Sequence, residues 1–174
     1  MKRLLPLTLA AALASTVPAM ADGETAAAHN PGTKLDIGSP APEFKVAAWI
    51  QGEPVTGFEA GKTYLIECWA TWCGPCVAQI PHMNGLHQKY ADKGLVVIGM
   101  NVSDGPLKRI EKFVGDRRDK MSYRVAFDGP KDGFFVKHWM DAAGVRPIPH
   151  TFVVRDGKGV PTEKGKNSTL RVWD

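Results

Sequence analysis

Two cysteines three residues apart, Cys73 and Cys76, with Gly74 and Pro75 between them and Trp72 in front, are the residues of this chain best suited to chemistry. Thiol–disulfide exchange needs a thiolate that attacks, a second thiol close enough to release the mixed disulfide, and somewhere for protons to go. A thiol at the start of a helix faces unpaired backbone N–H groups and the positive end of the helix dipole, so its thiolate is stabilised. Cys73 takes that place if the helix begins at Gly74 and Pro75: glycine permits a tight entry and proline is tolerated in the first turn. Cys76, about one turn further in, is then the more buried, resolving thiol. Half of a zinc site is the main rival for this spacing, and it needs two further ligands. The chain has no second CxxC, and Cys68, His82 and His87 are the only nearby candidates. Neither a metal nor any other cofactor is expected.

The elements that must hold the pair follow from periodicity. From Pro75 to about Tyr90 the apolar residues Val77, Ile80, Met83, Leu86 and Tyr90 recur every three or four positions, predicting a helix with one buried face, kinked at Pro81 and ended by Gly94. Before it, Tyr64–Ala70 is almost continuously apolar, as in a strand covered on both faces. Cys68 falls within that strand and reads as a buried, inert thiol. Leu95–Met100 is the next buried strand, and Pro106 to about Val114 a helix with Asp104 as candidate cap. Further strands are predicted at Tyr123–Phe127 and Thr151–Val154, with a helix over residues 132–143 between them. Upstream, a turn-rich entry at Gly38–Phe44 leads into a β-hairpin turned by Gln51-Gly52-Glu53-Pro54. The alternation predicts an α/β domain around a central mixed sheet.

Composition narrows the class. With 174 residues, 44% hydrophobic and 23% charged, the chain suits one globular domain. The formal charge of +4 includes Lys2 and Arg3; without those two it is about +2, with the remaining basic residues scattered among acids, which argues against nucleic acid as a partner. Lys2 and Arg3 precede an apolar run from Leu4 to Val17, and Ala19-Met20-Ala21 offers the small residues a signal peptidase reads. A run of about 14 apolar residues spans about 21 Å, short of a hydrocarbon core of about 30 Å. Residues 1–21 are therefore expected to be a cleaved signal peptide and the product periplasmic, an uncleaved signal anchor in the inner membrane being the alternative. Residues 22–36 read as a flexible leader, 37–158 as the domain and 159–174 as an atypical tail.

The stretch Trp69-Ala70-Thr71-Trp72-Cys73-Gly74-Pro75-Cys76, followed by Ile80-Pro81, resembles the active-site segment of the thioredoxin superfamily, in particular its exported TlpA/ResA-like redoxins. The resemblance runs from about Ile37 to Lys158 and includes the entry residues Gly38, Ala41, Pro42 and Phe44. It implies a thioredoxin-like fold with an N-terminal β-hairpin and an insertion, and thiol-disulfide oxidoreductase activity through a redox-active Cys73–Cys76 disulfide. Glu67, six residues before Cys73, stands where thioredoxins keep a buried acid that exchanges protons with the resolving cysteine. Burial raises a carboxyl pKa toward the working range of a thiol, and the apolar neighbours of Glu67 favour that role over a solvent-facing strand carboxylate. Gly144–Phe152 resembles the segment that supplies the family's cis-proline. That places Pro149 beside the cysteines, with Trp72, Ile148 and Pro149 as the substrate-binding positions.

The resemblance has departures. Gln79 stands where many exported relatives have an acid, His150 where the family usually has threonine, and residues 159–174 lack the amphipathic period of a closing helix. Three activities fit a reactive pair in such a scaffold. The leading one reduces or exchanges disulfides in exported proteins, because a Gly-Pro spacer resembles the reducing members; thioredoxin lies near about −270 mV and the oxidant DsbA near about −120 mV. A reductase in an oxidising compartment implies a membrane carrier of thiol electrons as partner. A thiol peroxidase is the second, although Glu67-Cys68-Trp69 does not fit the peroxidatic pattern. A copper-holding redoxin-like module is the third, although such relatives use a wider cysteine spacing. A monomer is expected.

Overall fold

The structure, a computed structural model, describes residues 32–131, 133–155 and the backbone of 158–161. Six strands form one sheet: β1 (Ala48–Gln51), β2 (Thr63–Trp69), β3 (Leu95–Asn101), β4 (Arg124–Phe127), β5 (His150–Arg155) and β6 (Lys158–Pro161), in the order β1-β4-β3-β2-β5-β6. β2, β3 and β4 run parallel, while β1, β5 and β6 are antiparallel to their neighbours. Such mixed pairing is what two helical crossovers followed by a hairpin produce.

β2 lies at the centre, and its alternation divides the core. Tyr64, Ile66 and Cys68 face one side, where Leu35, Phe44, Phe135, Trp139 and Phe152 pack. Leu65 and Trp69 face the other, under Cys76, Ile80 and Met83 of α1 (Gly74–Tyr90) and Ile110 and Val114 of α2 (Leu107–Gly115). α1 continues through Pro81, which removes one backbone donor without ending the helix. It closes through a 3₁₀ turn, Ala91–Lys93, onto Gly94 at φ 88°, a left-handed conformation that glycine adopts without steric cost.

Five expectations change. β1 has no hairpin partner: it pairs with β4, Ala48 opposite Phe127, because its half-buried residues complete the exposed edge of β4. The expected helix over 132–143 is present over residues 134–140 but is mostly a π-helix, α3 (Val136–Met140), in which Asp141 N–H bonds the Val136 carbonyl. The wide turn lets Val136, Trp139 and Met140 all point inward. Asp104 does not cap α2, whose first turn has no side-chain cap. The leader is docked at its end, since Leu35 is buried and its N–H bonds the Ala142 carbonyl. Finally, β6 extends the sheet past Lys158, where the tail was expected to begin. The signal peptide, most of the leader and the closing-helix expectation lie outside the described residues.

Candidate active site

Cys73 is the N-cap of α1: its backbone is extended (φ −84°, ψ 95°) and its sulfur accepts the Cys76 N–H at 3.3 Å. The two sulfurs are bonded at 2.03 Å, with the Cα atoms 5.3 Å apart. Both residues are buried, while Trp72 beside them is 61% exposed. The Ile148 carbonyl oxygen approaches Cys73 Sγ at 3.8 Å, and the Ile148–Pro149 peptide is cis. Cys73, Cys76, Trp72 and Ile148 therefore meet where the β2–α1 turn faces the loop entering β5. Gly74 and Pro75 open the helix, and Pro occupies its first turn as expected.

Glu67 is buried on the α1 side of β2, between Gly99 on β3 and Thr151 on β5. The Thr151 hydroxyl donates to its Oε2, whereas Oε1 has no partner among the described residues. Burial pushes the Glu67 pKa up to about 7, the Thr151 hydroxyl acting against that rise. Cys68 points to the opposite face with no exposure, and burial first, then the charges of Glu67 and Asp128, holds its thiol well above the ordinary range. His150 is also buried on that face, edge-on to Phe152 at 4.8 Å, and burial lowers its pKa.

One residue that matters here was not read from the sequence as part of the site. The buried Asp104 carboxylate accepts the Thr71 N–H at 2.6 Å, the Thr71 hydroxyl at 3.0 Å, Asn101 Nδ2 at 3.0 Å and the Gly105 N–H at 2.7 Å, and it pairs with Arg109. Burial alone raises its pKa, yet the Asn101, Thr71, Gly105 and Arg109 donors outweigh burial and hold it at about 2. Trp72 Nε1–H bonds the neighbouring Ser103 carbonyl at 3.2 Å. Both residues ahead of Cys73 are thus tied to the loop between β3 and α2. A lone Asp just before a proline-led helix reads as a cap, and nothing in the local sequence signals a partner 33 positions earlier.

This arrangement is capable of disulfide exchange: a cystine at a helix mouth, a backbone acceptor beside the outer sulfur, and a buried acid with a near-neutral pKa. A family model described as Redoxin matches residues 36–171. The chain belongs to the Redoxin family. It is 31% identical over 137 residues to the thiol-disulfide oxidoreductase ResA of Bacillus thuringiensis subsp. konkukian (strain 97-27), covering 78% of this chain and 73% of that one. It is also 31% identical over 132 residues to protein FixW of Rhizobium leguminosarum, covering 72% of this chain and 59% of FixW. A thiol:disulfide interchange protein of the thioredoxin family from Chlorobium tepidum TLS superposes with a TM-score of 0.58 at 25% identity, over 75% of this chain and 88% of that one. This redoxin is accordingly a ResA-like thiol-disulfide oxidoreductase with a thioredoxin-like fold, and its reaction implies disulfide-containing substrate proteins.

Proposed function

We propose that this redoxin reduces or exchanges disulfides in exported proteins, with Cys73 as attacking thiol, Cys76 as resolving thiol and Glu67 as proton carrier. The observation that carries the reading is the setting of Cys73, at the helix cap with its sulfur 3.8 Å from the Ile148 carbonyl next to cis-Pro149. In the reduced enzyme the Cys73 thiolate attacks one sulfur of a substrate disulfide and the other leaves as a thiolate that takes up a proton. Cys76, deprotonated toward Glu67, then attacks Cys73 Sγ; the enzyme is oxidised to the Cys73–Cys76 disulfide and the substrate leaves with two thiols. The exposed Trp72 ring offers an apolar surface to the substrate segment, and the backbone of Ile148 and Pro149 a hydrogen-bonding edge.

The Gly74-Pro75 spacer supports the reducing direction, for which a membrane carrier of thiol electrons resupplies the dithiol. The charged start and apolar run of residues 2–21 support export to the periplasm. Among the described residues no helix is long and apolar enough to cross a membrane. Trapping tests the roles: Cys76→Ala is expected to accumulate mixed disulfides on Cys73, and Cys73→Ala to accumulate none. Equal trapping by the two variants would mean the roles are wrongly assigned.

A further inference from the structure

Glu67 has two neighbours across the strands, and they differ. On β3 the register partner is Gly99, where a Cβ would sit 3.0 Å from the Tyr123 ring and 3.1 Å from Trp69 Nε1; the side of Glu67 toward β3 is closed by those two rings. On β5 the partner is Thr151, which donates its hydroxyl to Glu67 Oε2. The two carboxyl oxygens are therefore not equivalent: Oε2 is held by a donor, and Oε1 is buried with no partner among the described residues. Thr151 lies two residues after Pro149, on the strand that begins where the substrate is proposed to dock.

We propose that Thr151 is a positioning residue for the exchange reaction: its hydroxyl fixes the Glu67 carboxyl so that Oε1 carries the exchanged proton, and it links that acid to the substrate-docking loop. The inference rests on the reading of Glu67 as proton carrier. A carboxyl held at one oxygen has one place left for a proton, so it receives protons in a defined orientation instead of rotating between two. The hydroxyl also favours the charged carboxylate, the form that accepts the Cys76 proton.

The groups around Glu67 leave Thr151 as its main counterweight. α1 covers this face with Cys76, Ile80 and Met83, and Tyr123 enters from the segment before β4 with its phenol raised by burial and by the Glu67 charge. Cys68 is on the opposite face of β2, and Gly99 and Thr151 carry no charge. Among the described residues, burial raises the Glu67 pKa and the Thr151 hydroxyl lowers it, and no cation joins them.

In the resolving step, Cys76–SH transfers its proton to Glu67 Oε1, the thiolate attacks Cys73 Sγ, and the Cys73–substrate bond breaks to release the substrate thiolate. The step requires Glu67 ionised, so its rate rises with pH through the Glu67 pKa. Loss of the Thr151 donor raises that pKa and moves the rise to higher pH.

The test follows the Glu67 carboxyl by carbon-13 NMR in the oxidised protein, and the rate of insulin reduction by the reduced protein, both between pH 5 and 9. Thr151→Val is expected to move both midpoints up by about one pH unit, a drop of several-fold in rate at pH 7. Thr151→Ser, which keeps the hydroxyl, is expected to return both midpoints to the parent values. Thr151→Ala serves as a second hydroxyl-free variant, and the NMR titration requires no activity. Unmoved midpoints in both hydroxyl-free variants, or a serine variant that behaves like valine, would overturn the role of Thr151. Glu67→Gln separates the two readings: if it removes the pH step while Thr151→Val leaves that step in place, only the Thr151 inference fails. If Glu67→Gln leaves the step intact, the proton-carrier reading fails and the inference with it.

Discussion

Glu67 and Asp104 are both buried carboxyl groups close to the redox turn, and they behave in opposite ways. Among the described residues Glu67 accepts one hydrogen bond, and burial pushes its pKa up to about 7, while Asp104 gathers four neutral donors and the Arg109 guanidinium, which hold it at about 2. Burial raises both; the number and charge of the donors decides the outcome. A carboxylate surrounded by donors is a permanent anion and works as a clamp, here tying Thr71 to the β3–α2 loop. A carboxyl starved of donors exchanges its proton at working pH.

Removing the clamp is the harshest way to break this contrast. Asp104→Ala strands the Thr71 and Gly105 N–H groups and Asn101 Nδ2 and frees Arg109, and is expected to destabilise the fold by about 3–5 kcal/mol in denaturant titration. A cost under about 1 kcal/mol would show that the donors find other partners.

Next in size is Glu67→Gln. The folded pKa of Glu67 lies near 7 against an ordinary 4.5, so between those values the unfolded chain holds fewer protons and stability falls as pH rises. Glu67→Gln removes that slope. It is expected to gain up to about 3 kcal/mol over the parent at pH 8 and to gain nothing of this kind at pH 4. A parent whose stability is flat from pH 4.5 to 7 would contradict the raised pKa.

Asp104 gives the opposite slope. Its folded pKa of about 2 lies below the ordinary 3.8, so its contribution is present above pH 4 and is lost as pH falls toward 2. Asp104→Asn is expected to flatten that acid limb in thermal melts recorded at successive pH values. The smallest effect is expected from Trp72→Phe, which keeps an apolar ring and deletes the bond to the Ser103 carbonyl. With the side chain so exposed, stability should change by less than about 1 kcal/mol, while the Michaelis constant for a protein disulfide rises.

The contrast also marks where the sequence was readable. Cys73 and Cys76, the helix they open and the buried strand before it follow from spacing and periodicity, which are local. Pro149 beside the pair came from a likeness over a whole segment. Asp104 was misread because a cap and a clamp look the same in one dimension, and its main partner is Thr71 on another turn. The pairing of β1 with β4 escaped for a similar reason: a glycine-proline turn suggests a hairpin, while the partner is chosen by whichever sheet edge lies open. The π-turn of α3 depends on where Trp139 must point, which only the assembled core determines. Leu35 looked like part of a polar leader, and its burial depends on a site on the far side of the chain.

The placement of Cys68 has a practical consequence. The chain has three cysteines, and an odd number ordinarily invites scrambled or intermolecular bonds once thiols are oxidised. With Cys68 fully enclosed in the central strand, the folded oxidised molecule presents no accessible thiol to a reagent, and unfolding exposes one. A thiol-specific dye added to the oxidised protein therefore counts unfolded molecules one for one, giving the protein an internal gauge of its own folding that needs no engineered label.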